Sequence, residues 1–455
     1  MNDSKLSRLT AISKLLDNSF ELAFIVYLLS GIFKGIYLSK NWLINFDLTL
    51  FSGLFLSFLI ARNVILGKLA NSKLNWNRLW RISPLLIFYL VSIISLYYSP
   101  SENYGLFKLF LFSTNILAII SPKFSIKFNL RKFVNMLAIA SILVGGYSII
   151  VYGFYFGVKE NILGHTLKFY RGFYLDAGYI LGLSSILILK LENRFKKAAF
   201  LNIILICLWG TAARGPIIFT VISLMIYLSA LFIDYGTQNS FKYLFQRKKI
   251  ILSLLLINTL LIFSVSQNKF GSIILKRTLY RFSVIVPSNL DQTIMSAMDH
   301  SSEGGIDRQF EDEHHHPEQS NIDRIDHLIY SWNMINQSWN SRLFGHGIGS
   351  YGIIKTGKDI RLYPHNIFLE IWFETGLIGL VPFLFFLISA LLWTLKNNQQ
   401  VLGIAILYLL VNTFKSYSLV DHRILMGIIG ISIFIQAKEP AFKWMIINKH
   451  NAKLK

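Results

Sequence analysis

The sequence is poor in charged residues and nearly free of cysteine. Only 15% of its 455 residues are Asp, Glu, Lys or Arg, and a single cysteine, Cys207, lies inside an apolar run. One cysteine excludes a disulfide within the chain, and we interpret Cys207 as a small buried apolar residue. So low a charge content also argues against the two or three soluble domains that the length alone would suggest.

Familiar catalytic and cofactor-binding patterns are missing as well. The sequence contains no phosphate-binding P-loop, no dinucleotide-binding fingerprint, no serine-triad pattern and no zinc motif. Three consecutive histidines, His314–His316, lie beside acidic residues, but consecutive histidines do not build a coordination geometry by themselves. We therefore expect neither a cofactor nor a physiological metal.

Long hydrophobic runs are what the sequence has in abundance. Hydrophobic residues make up 53% of the chain, and they recur in runs of about 18 to 20 residues, long enough to cross roughly 30 Å of hydrocarbon. Backbone groups in lipid must bond within their own segment, so these runs predict helices. The sequence therefore predicts an all-α polytopic membrane protein with about twelve transmembrane helices, at approximately 20–38, 42–60, 79–98, 105–121, 133–156, 176–191, 198–213, 215–234, 249–266, 374–395, 400–417 and 422–437.

Acidic residues are scarce in one set of loops, and this sets the topology. Loops such as PKFSIKFNLRK and KLENRFKK are rich in Lys and Arg, whereas SPSENY on the other side carries no base. Basic loops remain in the cytoplasm, so we place both termini there. Topology and contact with anionic membrane lipids account for the net charge of +21, and we expect no nucleic-acid partner.

One connection breaks the regular alternation of spans and short loops. We divide the chain into about nine spans at 1–266, an external loop at 267–364, about three spans at 365–437 and a basic cytoplasmic tail at 438–455. The loop contains an acidic insert, 291–323, which we expect to be partly disordered because it has little apolar surface to bury. Apolar residues at helical spacing predict a helix from Arg324. The glycine-rich LFGHGIGSYG that follows would let backbone approach a ligand or another helix closely.

Four arginines lie on the outer face of this topology: Arg171, Arg214, Arg281 and Arg324. An arginine at a membrane surface commonly anchors a lipid headgroup, and that alternative stays open for each of them. Arg214 lies in a very short turn between two spans, where a charge is costly and needs a partner. A guanidinium grips phosphate through two parallel hydrogen bonds, so several of them around one pocket could hold a diphosphate without a metal.

The segment YPHNIFLEIWFETG, residues 363–376, brings polar residues to the start of a span. Pro364 disfavours a helix at the residue before it, so we expect His365 and Asn366 at the helix start. Asn366 is suited to cap the helix, and Glu370 to complement its dipole. His365 could simply lie at the membrane interface. The alternative is that it accepts a proton from a sugar hydroxyl, since its ordinary pKa of about 6.5 permits this at neutral pH.

These segments together resemble the O-antigen ligase and polymerase superfamily. The likeness rests on the run from Arg324 through WNSRLFGHGIGSYG to YPHNIFLEIWFETGLIGLVPF, with support from TAARGPIIF and YRGFYLDAGYIL. It implies a GT-C-like glycosyltransferase of the bacterial inner membrane, with its active site facing the periplasm and one large periplasmic loop that contains helices. The acidic insert 291–323 departs from the family pattern, and so does the alanine in AARGP, where a small polar residue is usual.

The resemblance also implies roles for individual residues. His365 would be the catalytic residue that positions or deprotonates the acceptor hydroxyl. The arginines would bind the diphosphate and stabilise the charge that develops on it, namely Arg171, Arg214, Arg324 and, more weakly, Arg281. Supporting roles would fall to Asn366, Glu370, Asp176 and Tyr351.

The implied reaction takes a glycan from an undecaprenyl-diphosphate-linked donor, with inversion and without a metal. A polymerase would pass it to another lipid-linked repeat unit and a ligase to lipid A–core; we favour the polymerase. A chain-length regulator and a flippase are further expected partners. A flippase or other transporter is itself the alternative of a different class, but transporters usually place their polar residues at mid-membrane rather than on one outer face.

Overall fold

The computed structural model describes residues 16–38, 47–66, 80–157, 173–211, 213–230, 317–416 and 418–435. Within these ranges the chain is helical and contains no strand, as the sequence predicted. The helices, numbered in chain order, are α1 Phe20–Leu38, α2 Leu48–Ile65, α3 Ser83–Ser95, α4 Asn103–Ile120, α5 Leu130–Gly157, α6 Phe173–Leu187, α7 Arg194–Gly210, α8 Arg214–Ala230, α9 Pro317–Ile335, α10 Trp339–Phe344, α11 Ser350–Thr356, α12 Ile367–Lys396, α13 Gln400–Ser416 and α14 Arg423–Phe434.

Several of these helices have the length and composition of membrane spans. In the described ranges, five stretches qualify: Leu48–Ile65, Trp80–Tyr98, Asn103–Phe124, Leu130–Ser148 and Ile367–Lys396. Shorter apolar helices are Arg214–Ala230, Gln400–Phe414 and Arg423–Phe434. These findings support a multi-pass helical membrane protein. The number of twelve spans stays a prediction, and the span at 249–266 lies outside the described residues.

The helix α12 is longer than the apolar run that predicted it. The predicted span started at residue 374, but the helix begins at Ile367 because Asn366 caps it. The side-chain oxygen of Asn366 accepts the N–H groups of Phe368 and Leu369 at 3.0 and 3.1 Å. Capping therefore decides where the helix begins, and hydrophobicity decides only where it enters the apolar layer.

The helix α9 also begins earlier than its apolar pattern indicated. We predicted a start at Arg324, whereas the helix begins at Pro317, a favoured residue for a first helical turn. Residues 317–323 of the acidic insert are therefore helical, which corrects the expected disorder there; 291–316 lie outside the described residues. The apolar stripe that predicted the helix is half exposed, at Ile325, Ile329 and Trp332.

The glycine-rich turn at 345–349 packs against other backbone. The N–H of Gly347 donates to the carbonyl of Glu374 in α12 at 2.8 Å. Gly347 has a φ of 91°, and a Cβ on it would lie 2.4 Å from the Cα of Ser99. Only glycine fits so close an approach. The sequence left open whether this turn approaches a ligand or a helix, and the described contacts are with α12 and the loop before α4.

A continuous apolar core joins the elements that hold this turn in place. α12 packs against α3, α9, α10 and α13, while α6 packs against α5, α7 and α13. The ring of Trp372 in α12 meets that of Trp332 in α9 edge to face, and its indole N–H donates to the carbonyl of Arg342 in α10 at 3.1 Å. The loop helices are therefore fixed to the first turns of α12.

Candidate functional site

His365 occupies a constrained position directly before α12. Its φ is 60°, a left-handed conformation that residues other than glycine seldom adopt. Pro364 restricts the backbone on one side, and the capping residue Asn366 fixes it on the other. Backbone strain of this kind costs about 1–3 kcal/mol and concentrates at functional sites. The imidazole therefore has a direction that the helix start sets.

The surroundings of His365 keep its imidazole neutral. Its ring lies against Tyr363, at 4.7 Å between centroids, and edge to face with His327, at 5.6 Å. Burial is the largest cause that lowers the pKa of His365, to about 4, and repulsion from Arg324, His327 and Lys355 lowers it further. A neutral imidazole can accept a proton at physiological pH. The predicted pair of Arg324 and His365 is thus brought together in space.

Two residues that the sequence reasoning missed, His327 and Lys355, complete these surroundings. His327 Nδ1 lies 2.6 Å from Tyr351 Oη and 3.0 Å from Lys355 Nζ. Tyr351 is buried, and burial raises the pKa of its phenol, which stays protonated. Helical spacing could have pointed to His327, which follows Arg324 by three residues on one face of α9. No comparable sequence signal marks Lys355.

A second group of charges lies one turn inside α12 and is fully buried. Lys108 of α4 places its ammonium 2.5 Å from Glu370 Oε1 and 2.7 Å from Glu374 Oε1. The other ends of Glu370 are satisfied as well: Ser418 Oγ donates to it at 2.7 Å and the Leu419 N–H at 2.9 Å. We call Lys108, Glu370 and Glu374 the buried ion cluster. It joins α4, α12 and the segment before α14.

The buried ion cluster changes the interpretation of Glu370 and explains Glu374. The sequence predicted that Glu370 would complement the helix dipole, whereas its carboxylate binds a lysine and closes a loop. The missed signal was Lys108, a single charge inside the apolar run YGLFKLFLF. A charge at such a place needs a partner. Sequence alone did not say which acids would supply it.

Arg214 and Asp176 lie at a separate contact, between α6 and α8. Arg214 is half-buried and begins α8, as its short turn predicted. Gly178 of α6 packs on this turn so closely that a Cβ there would lie 2.7 Å from the Cβ of Ala213. Asp176 stands two residues before Gly178, in the first turn of α6. The structure therefore brings the segments of Arg214 and Asp176 together.

The remaining predicted residues fall outside this description. Arg171, Arg281 and His314–His316 lie outside the described residues. Within the described ranges, no group of three or more His, Cys, Asp or Glu side chains is arranged to hold a metal ion.

Comparison with known proteins adds a family to this geometry. Residues 198–384 match the family model of O-antigen ligase. The matched segment runs from α7 into α12 and contains Arg214, Arg324 and His365. The resemblance to the O-antigen ligase and polymerase superfamily is therefore confirmed over this segment. No curated protein matches the chain.

Proposed function

We propose that the chain is a GT-C-like membrane glycosyltransferase of the O-antigen polymerase type. It takes a glycan from an undecaprenyl-diphosphate-linked donor and passes it to a hydroxyl of another lipid-linked repeat unit, at the periplasmic face of the bacterial inner membrane. The observation that carries this proposal is the neutral His365 beside Arg324 at the start of a membrane span. The family match over 198–384 supports the reaction class.

In the proposed step, His365 removes the proton from the acceptor hydroxyl. The hydroxyl oxygen attacks the anomeric carbon from the face opposite the diphosphate, and the bond between that carbon and the diphosphate oxygen breaks. The electron pair leaves with the undecaprenyl diphosphate, so the new linkage has the inverted configuration. A base with a pKa near or below the working pH is in the correct protonation state for this role.

The leaving diphosphate gains negative charge in this step, and cations beside it lower the barrier. Arg324 is the arginine placed next to His365. We assign Arg214, Arg171 and, more weakly, Arg281 to the same lipid-linked substrate, by the resemblance of their segments. Arginine suits this role because its planar fork can bind two phosphate oxygens at once. On this basis the reaction needs no metal ion.

A ligase is the second candidate, and one observation favours it: the matching family is described as O-antigen ligase. In that case the donor and the catalytic residues stay the same, and only the acceptor changes to lipid A–core. Chain-length regulators and flippases would serve either reaction.

The decisive experiment supplies the purified protein with a lipid-diphosphate repeat unit as the only substrate. A ladder of lengthening products is expected for the polymerase. Product that forms only after lipid A–core is added would identify a ligase instead. Absence of transfer to either acceptor, from protein that is folded and contains the unchanged His365, would contradict the glycosyltransferase proposal. EDTA in a parallel reaction should leave the rate unchanged.

A further inference from the structure

His327 has a defined tautomer, which follows from what its Nδ1 faces. The Lys355 ammonium lies 3.0 Å from this nitrogen, and an ammonium can only donate a hydrogen bond. Tyr351 Oη lies 2.6 Å from the same nitrogen and can also donate to it. Nδ1 is therefore the acceptor, and the ring hydrogen sits on Nε2. At neutral pH His327 is an uncharged side chain that offers one N–H donor.

Two helices direct donors towards His365. Arg324 and His327 are three residues apart in α9 and share one face of that helix. Lys355 comes from α11, a separate helix on the other side of the glycine-rich turn. All three act on the pKa of His365. A guanidinium, an ammonium and an imidazole N–H therefore converge beside the proposed base.

We propose that Arg324, His327 and Lys355 form one subsite for the diphosphate of the lipid-linked donor. His327 donates to a phosphate oxygen from Nε2, and Lys355 both contributes charge and fixes the His327 tautomer. The proposal rests on the proposed function and extends it to two residues outside the family resemblance. It also gives Tyr351 a task, because its phenol holds the His327 ring in place.

The charges match the substrate through the reaction. A diphosphate esterified at both ends carries two negative charges, which Arg324 and Lys355 balance. Cleavage of the glycosyl bond leaves a third negative charge on the released undecaprenyl diphosphate. The His327 N–H is an additional donor for that charge, and hydrogen bonds to ionised oxygens are about twice as strong as neutral ones.

The test measures binding of undecaprenyl diphosphate, the released product, to the purified full-length protein, along with kcat and KM for transfer. Variants are His327→Leu, His327→Gln, His327→Asn and Lys355→Met. A glutamine N–H can reach the position of Nε2, whereas an asparagine N–H reaches only that of Nδ1. Lys358→Met is the matched control, because Lys358 is an exposed lysine three residues from Lys355.

We expect His327→Leu and Lys355→Met each to weaken binding by roughly 10- to 100-fold, the range for a hydrogen bond to a charged group. His327→Gln should retain more affinity than His327→Asn, and Lys358→Met should bind like the unchanged protein. Melting temperatures of all variants separate loss of binding from loss of folding. A purely structural role for His327 would lower the melting temperature but leave Gln and Asn alike in affinity, which would overturn the proposal.

Two results separate this proposal from the proposed function. If the unchanged protein transfers glycan, and His327→Leu and Lys355→Met still bind the lipid diphosphate as it does, the subsite is wrong while the function stands. If the unchanged protein neither binds the lipid diphosphate nor transfers glycan, the proposed function fails and the subsite fails with it.

Discussion

Two groups of charged side chains flank the start of α12, and they differ in how their charges are matched. The buried ion cluster combines one cation with two carboxylates, and hydrogen bonds from Ser418 and Leu419 complete it. The group around His365 surrounds that imidazole with the positive charges of Arg324 and Lys355 and is only half-buried. The first group is complete within the protein, whereas the second is suited to an anion. We infer that one holds the helix and the other meets the substrate.

The largest expected effect comes from removing the imidazole of His365. His365→Ala should lower transfer by about 10²- to 10⁴-fold, the usual contribution of a general base. Abundance in the membrane should stay the same because the buried ion cluster, and not His365, joins the helices. Transfer is measured with the lipid-linked repeat unit, and abundance by immunoblot of the membrane fraction.

His365→Asn is the control for the backbone at this position. Asparagine tolerates the left-handed conformation, as histidine does, but it has no basic nitrogen. Both variants should be inactive if the imidazole acts as a base. Substantial transfer by His365→Asn would mean that the backbone conformation, rather than the proton acceptor, is what the reaction needs.

Breaking the buried ion cluster should affect folding in the first place. Lys108→Met leaves two buried carboxylates without their cation, and removing one partner of a buried pair typically costs about 3–5 kcal/mol. We expect a lower melting temperature in detergent and less protein in the membrane, with transfer per folded molecule reduced less than in His365→Ala. Lys34→Met is the matched control, since Lys34 pairs with Asp47 at the surface, where its side chain is 37% exposed.

A second substitution distinguishes the charge from the shape of Lys108. Adding Glu374→Gln to Lys108→Met removes one of the two orphaned carboxylates, so the double variant should be more stable than the sum of both single losses indicates. Coupling of about 0.5–3 kcal/mol is usual for residues in direct contact. Strict additivity would mean that the three side chains do not act as one cluster.

The pH dependence of transfer reports on the group around His365. Because its pKa is lowered to about 4, the imidazole stays neutral as the pH falls from 7 to 5, and kcat/KM should decline only as the pH passes through about 4. Lys355→Met removes a repelling charge, so this acid limb should move to higher pH, while Lys358→Met should leave it in place. An acid limb near the ordinary value of 6.5 in the unchanged protein would contradict the described surroundings.

How much of this could be predicted from the sequence depends on the distance over which each feature is determined. The cap at Asn366 and the helix start after Pro364 follow from neighbouring residues, and both were predicted. Lys108 finds Glu370 across 262 positions of the chain, so no local rule could pair them. The left-handed conformation of His365 was also missed, because it results from two constraints that meet at one residue.

Helical spacing was informative about the presence of α9 but not about its surroundings. The apolar repeat predicted a helix, yet Ile325, Ile329 and Trp332 are half exposed, and the helix presents Arg324 and His327 towards His365. Periodicity identifies the faces of a helix, whereas tertiary packing decides which neighbour each face meets. Lys355 shows the same limit, since its position beside His327 depends on where the glycine-rich turn directs α11.

The smallest expected effect concerns the surface ion pair between Arg361 and Asp421, which offers the sharpest contrast with Lys108. Arg361 Nη2 lies 2.8 and 2.7 Å from the two carboxylate oxygens of Asp421, and the two side chains are 46% and 32% exposed. Exposed pairs typically contribute about 0.2–1 kcal/mol and weaken with salt. A double-mutant cycle with Arg361→Gln and Asp421→Asn should give coupling in that range, and high salt should remove it. Coupling as large as that of the buried ion cluster would show that exposure does not separate the two kinds of charge in this protein.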